Sequence, residues 1–359
     1  MNEITVTAEQ LKRLCHEIFY HLGLSEQDST TVTDVMVMAD LMGIDSHGIR
    51  RLSMIDQHIQ RRYIDVKAHP NILFETPVSA LVDGSRSAGQ VVSVFAMQQA
   101  IDKATKTGVG LVTVRNSNHY GIAGYYSRMA SDQGLIGVSM TNSLAAVVPT
   151  LGSEPMLGTN PIAFSIPSEN GGFHLDMATS VVSVGKIELH QQAQQPIPWG
   201  WGLNKDGENE TDPLKVLKAI FDGQSGLHPL GGYGEVHGGH KGYGLSMVVE
   251  ILSAICSSGR TSNHIEEQGV SGVSHFFMAI DPKIFGDPKV IQDNLDRYLN
   301  EIRNSSKAKL HDRIYIHGEK EMEAYSCRTA EGILISEKTM KEINELCQRM
   351  NINIETYFD

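Results

Sequence analysis

Two short segments of this chain carry side chains able to handle a small acid. D-S-H-G-I-R-R at residues 45–51 offers an imidazole and a guanidinium, His47 and Arg51, while N-S-N-H-Y-G at residues 116–121 offers a second imidazole, His119. If the first segment is helical, His47 and Arg51 leave the same face. Arg51 then clamps a carboxylate through two parallel hydrogen bonds. His47 delivers or removes the proton on the neighbouring carbonyl or alcohol oxygen of a 2-oxo or 2-hydroxy acid. His119 is a second candidate for that proton. The plain alternative for Arg51 is a solvated ion pair. With 15 histidines in the chain, only context lifts His47 and His119 above packing or surface roles.

A second kind of chemistry is written in residues 231–244, G-G-Y-G-E-V-H-G-G-H-K-G-Y-G, half of them glycine. This stretch feeds into the apolar run L-S-M-V-V-E-I-L-S-A-I. A glycine-rich loop ending at a helix N-terminus exposes N–H groups to an anion, and Lys241 adds a full positive charge. That suits a cofactor phosphate, with a mobile surface loop as the plain alternative. It is not a Walker loop, and the G-x-G-x-x-G fingerprint of a Rossmann unit is absent from the chain. The spacing of His237 and His240, with Glu235 nearby, offers a competing class, a metal-dependent hydrolase or lyase. Flanking glycines oppose it, because ligand pairs at this spacing usually stand on a stiff helix, and no metal is expected.

The elements that must position these residues read as α/β. Thr7 to Gln10 forms a capping box ahead of Leu11, Leu14, Cys15, Ile18, Phe19 and Leu22 at helical spacing. Ser25 to Asp28 offers another cap, and Val32, Val35, Met36 and Ala39 continue a second stripe. A third helix is predicted to begin at Asp45 or Ser46, with His47 and Arg51 in its first turns. From Asn71 onward, short β-rich runs alternate with helices, and His119 falls where the strand G-L-V-T-V-R gives way to the helix G-Y-Y-S-R-M-A. Strands are also expected at P-I-A-F-S-I-P and F-H-L-D-M-A, and a charged, helix-prone tail is expected to pack back on the first helices. Residues 1–70 with 283–359 are expected to form a helical domain, and 71–282 a cofactor- and substrate-binding α/β domain.

Length and composition bound the class of protein. A chain of 359 residues can bury a substantial core, and its formal charge of −12 argues against nucleic acid and anionic membrane surfaces. Four scattered cysteines without a C-x-x-C pair read as reduced thiols, which suggests a cytoplasmic protein. Glu250 interrupts the apolar run of residues 245–255, so no membrane span is expected.

Taken together, D-S-H-G-I-R-R-L, N-S-N-H-Y-G, G-T-N-P-I-A-F-S-I-P, L-D-M-A-T-S, G-G-H-K-G-Y-G-L and S-H-F-F-M-A-I-D-P occur in an order that resembles the type-2 malate/L-lactate dehydrogenases. That family includes ureidoglycolate, sulfolactate and diketogulonate oxidoreductases. The resemblance implies a non-Rossmann, sulfolactate-dehydrogenase-like fold, with helical N- and C-terminal parts on a mixed-sheet cofactor domain. It also implies a homodimer that uses NAD or NADP, with NAD preferred. By the same resemblance, His47 is a proton donor, His119 an acid/base in some members, and Arg51 a substrate residue. Ser143, the stretch Asp176, Met177, Ala178 and Thr179, then His240, Lys241, Gly318 and Glu319 would meet the dinucleotide. Thr159 and Asn160 of G-T-N-P would bond the substrate's polar end. One departure stands out: relatives commonly carry P-G-E where this chain reads H-G-E at residues 317–319, which loosens the backbone at that bend. Malate/oxaloacetate is the leading substrate pair, with lactate, ureidoglycolate and cyclic imino acids as alternatives.

Overall fold

Reciprocal capping starts the first helix as the sequence predicts: Thr7 Oγ1 accepts from the Gln10 N–H, and the Gln10 side chain accepts from the Thr7 N–H at 2.9 Å. The computed structural model describes residues 3–266 and 272–358. In chain order its N-terminal elements are β1 (Glu3–Val6), α1 (Ala8–His21), α2 (Glu26–Leu41) and α3 (Leu52–Gln60). The central part contains β2 (Asn71–Glu75), β3 (Ser79–Asp83), α4 (Gly89–Thr107), β4 (Val109–Ser117), α5 (Ala123–Ser131) and β5 (Ile136–Thr141). It continues through β6 (Ile162–Ile166), β7 (Phe173–Met177), α6 (Val184–Gln192), β8 (Gly202–Leu203), β9 (Asn209–Glu210) and α7 (Pro213–Phe221). The last part contains α8 (Gly239–Glu250), β10 (Val273–Ile280), α9 (Pro288–Asn304), α10 (Glu319–Glu331), β11 (Ile333–Ser336) and α11 (Glu337–Arg349). Among the described residues, no helix is long and apolar enough to cross a membrane.

Seven strands form one mixed sheet in the order β2-β3-β4-β10-β5-β6-β7. Only β3 and β4 run parallel, because α4 bridges them as a crossover; the other neighbours are antiparallel. The close fit of α4 on β4 requires glycine at 110, where a Cβ would overlap the Ala100 carbonyl. Strand β10 lies at the centre and is buried on both faces along most of its length. Its run V-S-H-F-F-M-A-I therefore lacks the alternation of a half-exposed strand, and sequence periodicity assigns it no element. Val82, Val92, Ala96, Val112, Val114, Tyr126 and Phe277 are part of the core between the sheet and helices α4 and α5.

The two ends of the chain share another core. Leu11, Leu14, Ile18 and Phe19 of α1 pack in one cluster with Ile333, Ile335, Ile343 and Leu346. The end of the charged tail, α11 with β11, thus packs back on the first helices, whereas α9 does not join this cluster and instead meets the central part through Lys289 with Glu169 at 3.0 Å and Asp296 with Asn170 at 3.0 Å. Strands β1 and β11 pair antiparallel over four residue pairs, from Glu3↔Ser336 to Val6↔Ile333, a small sheet not anticipated within the helical part. A third cluster, including Val147, Leu157, Ile187, Val216 and Leu227, supports the excursion that carries α6 and α7.

Candidate active site

The segment that bears His47 is not an α-helix. After α2 ends, residues 45–48 form an irregular turn, Ile49–Arg51 make a single 3-10 turn, and α3 begins only at Leu52. The predicted start at Asp45 or Ser46 is corrected here. The cause is Asp40, a buried carboxyl at the end of α2. Its Oδ2 accepts the Ile49 N–H at 2.8 Å, and its carboxylate fills the space that a Cβ at Gly48 would need. Burial raises the Asp40 carboxyl to about 7, opposed by the Ile49 hydrogen bond. Arg328 of α10 ties the turn from outside, donating to the Asp40 carbonyl at 2.5 Å and to the Asp45 carboxylate.

Irregular backbone still brings the expected groups together. Arg51 folds back so that its Nε donates to the Ser46 carbonyl at 2.6 Å, while His47 Nδ1 pairs with Ser46 Oγ at 2.8 Å. The His119 ring stacks on His47, with centroids 5.5 Å apart and planes inclined by 26°. His119 lies two residues past β4. Its neighbour Asn118 is pinned by three carbonyls, those of Tyr63, Arg86 and Ser87. Burial first, then the Arg51 charge, lowers His47 to about 4. Burial also holds His119 well below the ordinary histidine value, with His47 and Arg51 adding to the effect. Both rings are therefore neutral at pH 7. Arg51 is itself lowered by burial and partly restored by Glu188.

Beneath this pair lies a histidine the sequence did not single out. His275 of β10 is fully buried between Thr141 Oγ1 at 2.7 Å and Ser117 Oγ at 2.8 Å, and it stacks on Tyr120 at 4.7 Å. Burial lowers it to about 3, so it acts as a neutral spacer under the strand end that carries His119. Asp40 and Ser46 were missed too. Their only signal was one acidic residue in the apolar stripe of α2 and one hydroxyl beside His47.

The expected cofactor and substrate residues fall into three groups. Ser143, Thr159, Asn160 and Thr179 form one cluster. Thr159 N–H donates to Ser143 Oγ at 3.0 Å, Ser143 N–H to Asn160 Oδ1 at 3.3 Å, and Thr179 Oγ1 to the Asn160 carbonyl at 2.9 Å. Asp176 on the edge strand β7 accepts the Gly124 N–H at 2.7 Å and lines a narrow cleft with Ile122, His174, Arg128 and Gly318. Asp176 is exposed on one side, and desolvation of its carboxyl, opposed by the Gly124 hydrogen bond, raises it to about 6. Met177 and Ala178 are half-buried and lead from this cleft to Thr179.

The third group is exposed. His240 and Lys241 stand in the first turn of α8, after Gly238 with φ +86°. Lys241 has no ion-pair partner among the described residues. This turn is tied to the first group, because Leu230, just before the glycine-rich loop, donates to the Thr179 carbonyl at 2.8 Å and packs under Gly242. The histidine turn also approaches the excursion: a Cβ at Gly185 of α6 would lie 3.5 Å from Ser46 Cβ, and Arg50 is 3.7 Å from Glu188. Glu319 is already engaged, accepting from Arg303 at 2.6 Å, Arg313 at 3.4 Å and the Ile316 N–H at 3.0 Å. His237 Nδ1 meets the Tyr233 carbonyl at 3.0 Å, and no three His, Cys, Asp or Glu side chains gather as a metal site among the described residues.

A half-buried polar site on a mixed sheet without a Rossmann loop defines a narrow class of α/β protein, and comparison with known proteins specifies it. Residues 6–344 match the model of the malate/L-lactate dehydrogenase family. The chain is 44% identical to the malate dehydrogenase of Pyrococcus abyssi over 98% of its own length and 96% of the relative's. It is 36% identical to the L-sulfolactate dehydrogenase of Methanocaldococcus jannaschii, covering 98% of each chain. The crystal structure of malate dehydrogenase from Entamoeba histolytica superposes with a TM-score of 0.95 at 37% identity, covering 98% of this chain and 99% of that one. The chain belongs to the malate/L-lactate dehydrogenase family, whose members are 2-hydroxy-acid dehydrogenases.

Proposed function

We propose that this dehydrogenase interconverts malate and oxaloacetate with NAD as its hydride carrier. The observation that supports this best is the stacked, neutral His47–His119 pair beside the Arg51 guanidinium. When bound, the nicotinamide supplies the hydride acceptor or donor for the substrate's C2 carbon. Arg51 holds the C1 carboxylate, and His47, fixed at Nδ1 by Ser46 Oγ, presents Nε2 to the C2 oxygen. For oxidation of the alcohol, neutral His47 is already the base that takes the hydroxyl proton. For reduction of the oxo acid, His47 must first gain a proton, which an anionic substrate beside it favours by raising its pKa. His119 stacks against the ring that changes charge, and Thr159 offers a hydroxyl to the acid's far end, whereas the buried Asn160 side chain is fully engaged by Glu250, the Ser246 carbonyl and the Ser143 N–H and supports that turn instead.

The residues present suit a dinucleotide. The Lys241 ammonium, without an ion-pair partner among the described residues and in the first turn of a helix after a glycine-rich loop, fits a phosphate, with His240 beside it. Ser143 and the stretch Asp176, Met177, Ala178 and Thr179 would hold the nucleoside parts, with Gly318 lining the Asp176 cleft and Glu319, engaged by Arg303, next to it in sequence. An acidic Asp176 suits a ribose with free hydroxyls and repels a 2′-phosphate, which favours NAD over NADP. A second copy of the chain is the proposed partner, supported by the exposed apolar residues Leu245, Val248, Ile251 and Ile255 along α8 and the turn after it. The test is NADH and NADPH oxidation with a panel of oxaloacetate, sulfopyruvate, pyruvate and cyclic imino acids. Fastest turnover of oxaloacetate with NADH is the expected result; preference for another acid reassigns the substrate.

A further inference from the structure

The residue that broke the apolar run in the sequence, Glu250, is 6% exposed and ends α8 where the helix widens into a π-helical turn, Ile251–Ile255. Such turns often mark functional positions, because they redirect a side chain that a regular helix would misplace. A carboxylate this deep must have every oxygen satisfied. Oε1 accepts from Asn160 Nδ2 at 3.0 Å and from Ser262 Oγ, while Oε2 accepts from Asn142 Nδ2 at 3.4 Å and the Ser262 N–H at 3.3 Å.

Two of those partners sit beside the hydroxyl pair of the site. Asn142 precedes Ser143 and Asn160 follows Thr159, and Ser143 Oγ lies 3.3 Å from Thr159 Oγ1. Asn160 is fully buried and holds a left-handed backbone at φ +38°, a conformation that asparagine adopts more readily than most non-glycine residues. Its side chain bonds Glu250 and the Ser246 carbonyl through Nδ2, and receives the Ser143 N–H at Oδ1. The same helix carries Lys241 at its other end, so anchoring Glu250 also fixes the axial position and rotation of α8.

Resting on the proposed cofactor role of Ser143 and Lys241, we propose that Glu250 is a positioning residue. Its carboxylate locks Asn142 and Asn160 and thereby holds the Ser143–Thr159 hydroxyl pair and the Lys241 end of α8 in one frame for the dinucleotide. Glu250 touches no reacting atom; it acts through its neighbours.

Glu250→Gln tests this with little change of volume. A Gln NH2 must face either Asn160 Nδ2 or the Asn142 and Ser262 donors, so donor meets donor on one side. NADH binding, followed by nucleotide fluorescence, should weaken by about tenfold or more in this variant, with kcat at saturating NADH changing by less than about threefold. Ser262→Ala removes a single hydroxyl from the carboxylate and should weaken NADH binding by about threefold. If Glu250→Gln fails to fold, Ser262→Ala decides the matter. A folded Glu250→Gln protein, or a Ser262→Ala protein in its place, that binds NADH like the wild type overturns the inference, even when its melting temperature falls. Wild-type protein that binds no NADH, or a Ser143→Ala variant that binds NADH undiminished, instead removes the cofactor reading itself and the inference with it.

Discussion

The two cationic ends of the site are built in opposite ways. Arg51 stands half-buried in a turn held from α2 by Asp40, from α10 by Arg328 and internally by Ser46, next to two discharged imidazoles. Lys241 is exposed to water, on the first turn of a helix whose preceding loop is half glycine. A charge in the first setting is screened less than one in the second, which water and salt surround. The difference divides the work. Under the proposed function, the acid would be gripped and its proton handled at the more enclosed end, and the larger nucleotide gathered where approach is easy.

The widest separation between these ends should come from substitution of their cations. Arg51→Ala leaves a bound carboxylate without a partner in a desolvated pocket, and kcat/KM for oxaloacetate should fall by about a thousandfold. That loss should change little between low and high salt. An Arg51→Ala enzyme within a few-fold of wild type would mean that the carboxylate is held elsewhere. Lys241→Ala should raise the KM for NADH by about tenfold with kcat nearly unchanged, and the gap should narrow as ionic strength rises. A Lys241→Ala defect as deep and as salt-insensitive as that of Arg51 would erase the contrast.

Legibility in the sequence follows the same division. The glycine-rich loop and its helix are readable because glycine spacing and a following apolar run are local signals, but α8 starts at Gly239, six residues before the apolar run at Leu245, so that G-H-K-G-Y-G belongs to the helix and not to the loop. Capping residues likewise placed α1 and α2. The turn of residues 45–51 was misread as helix because its shape is imposed by Asp40, nine residues away in sequence, and by Arg328 at the far end of the chain. His47 and Arg51 are neighbours for a different reason than helical spacing. Strand β10, with His275 under the site, carries no alternation because both its faces are covered. Glu250 was visible as an oddity in an apolar run, but its partners Asn142, Asn160 and Ser262 come from three separate segments that only the fold assembles.

The central claim is that the histidine pair is discharged in the free enzyme and that His47 takes its proton when the acid binds. Burial lowers His47 to about 4 in the free protein, so at pH 7 it carries no proton; an anion beside it raises that value, and a proton must come from solvent. Calorimetric titration of the NADH-loaded enzyme with oxamate, an unreactive 2-oxo-acid analogue, in two buffers of different ionisation heat counts that proton. The expected result at pH 7 is uptake of about one proton per site, abolished in His47→Gln and retained in His119→Gln. Tight oxamate binding by the wild-type enzyme with no proton uptake would contradict the account.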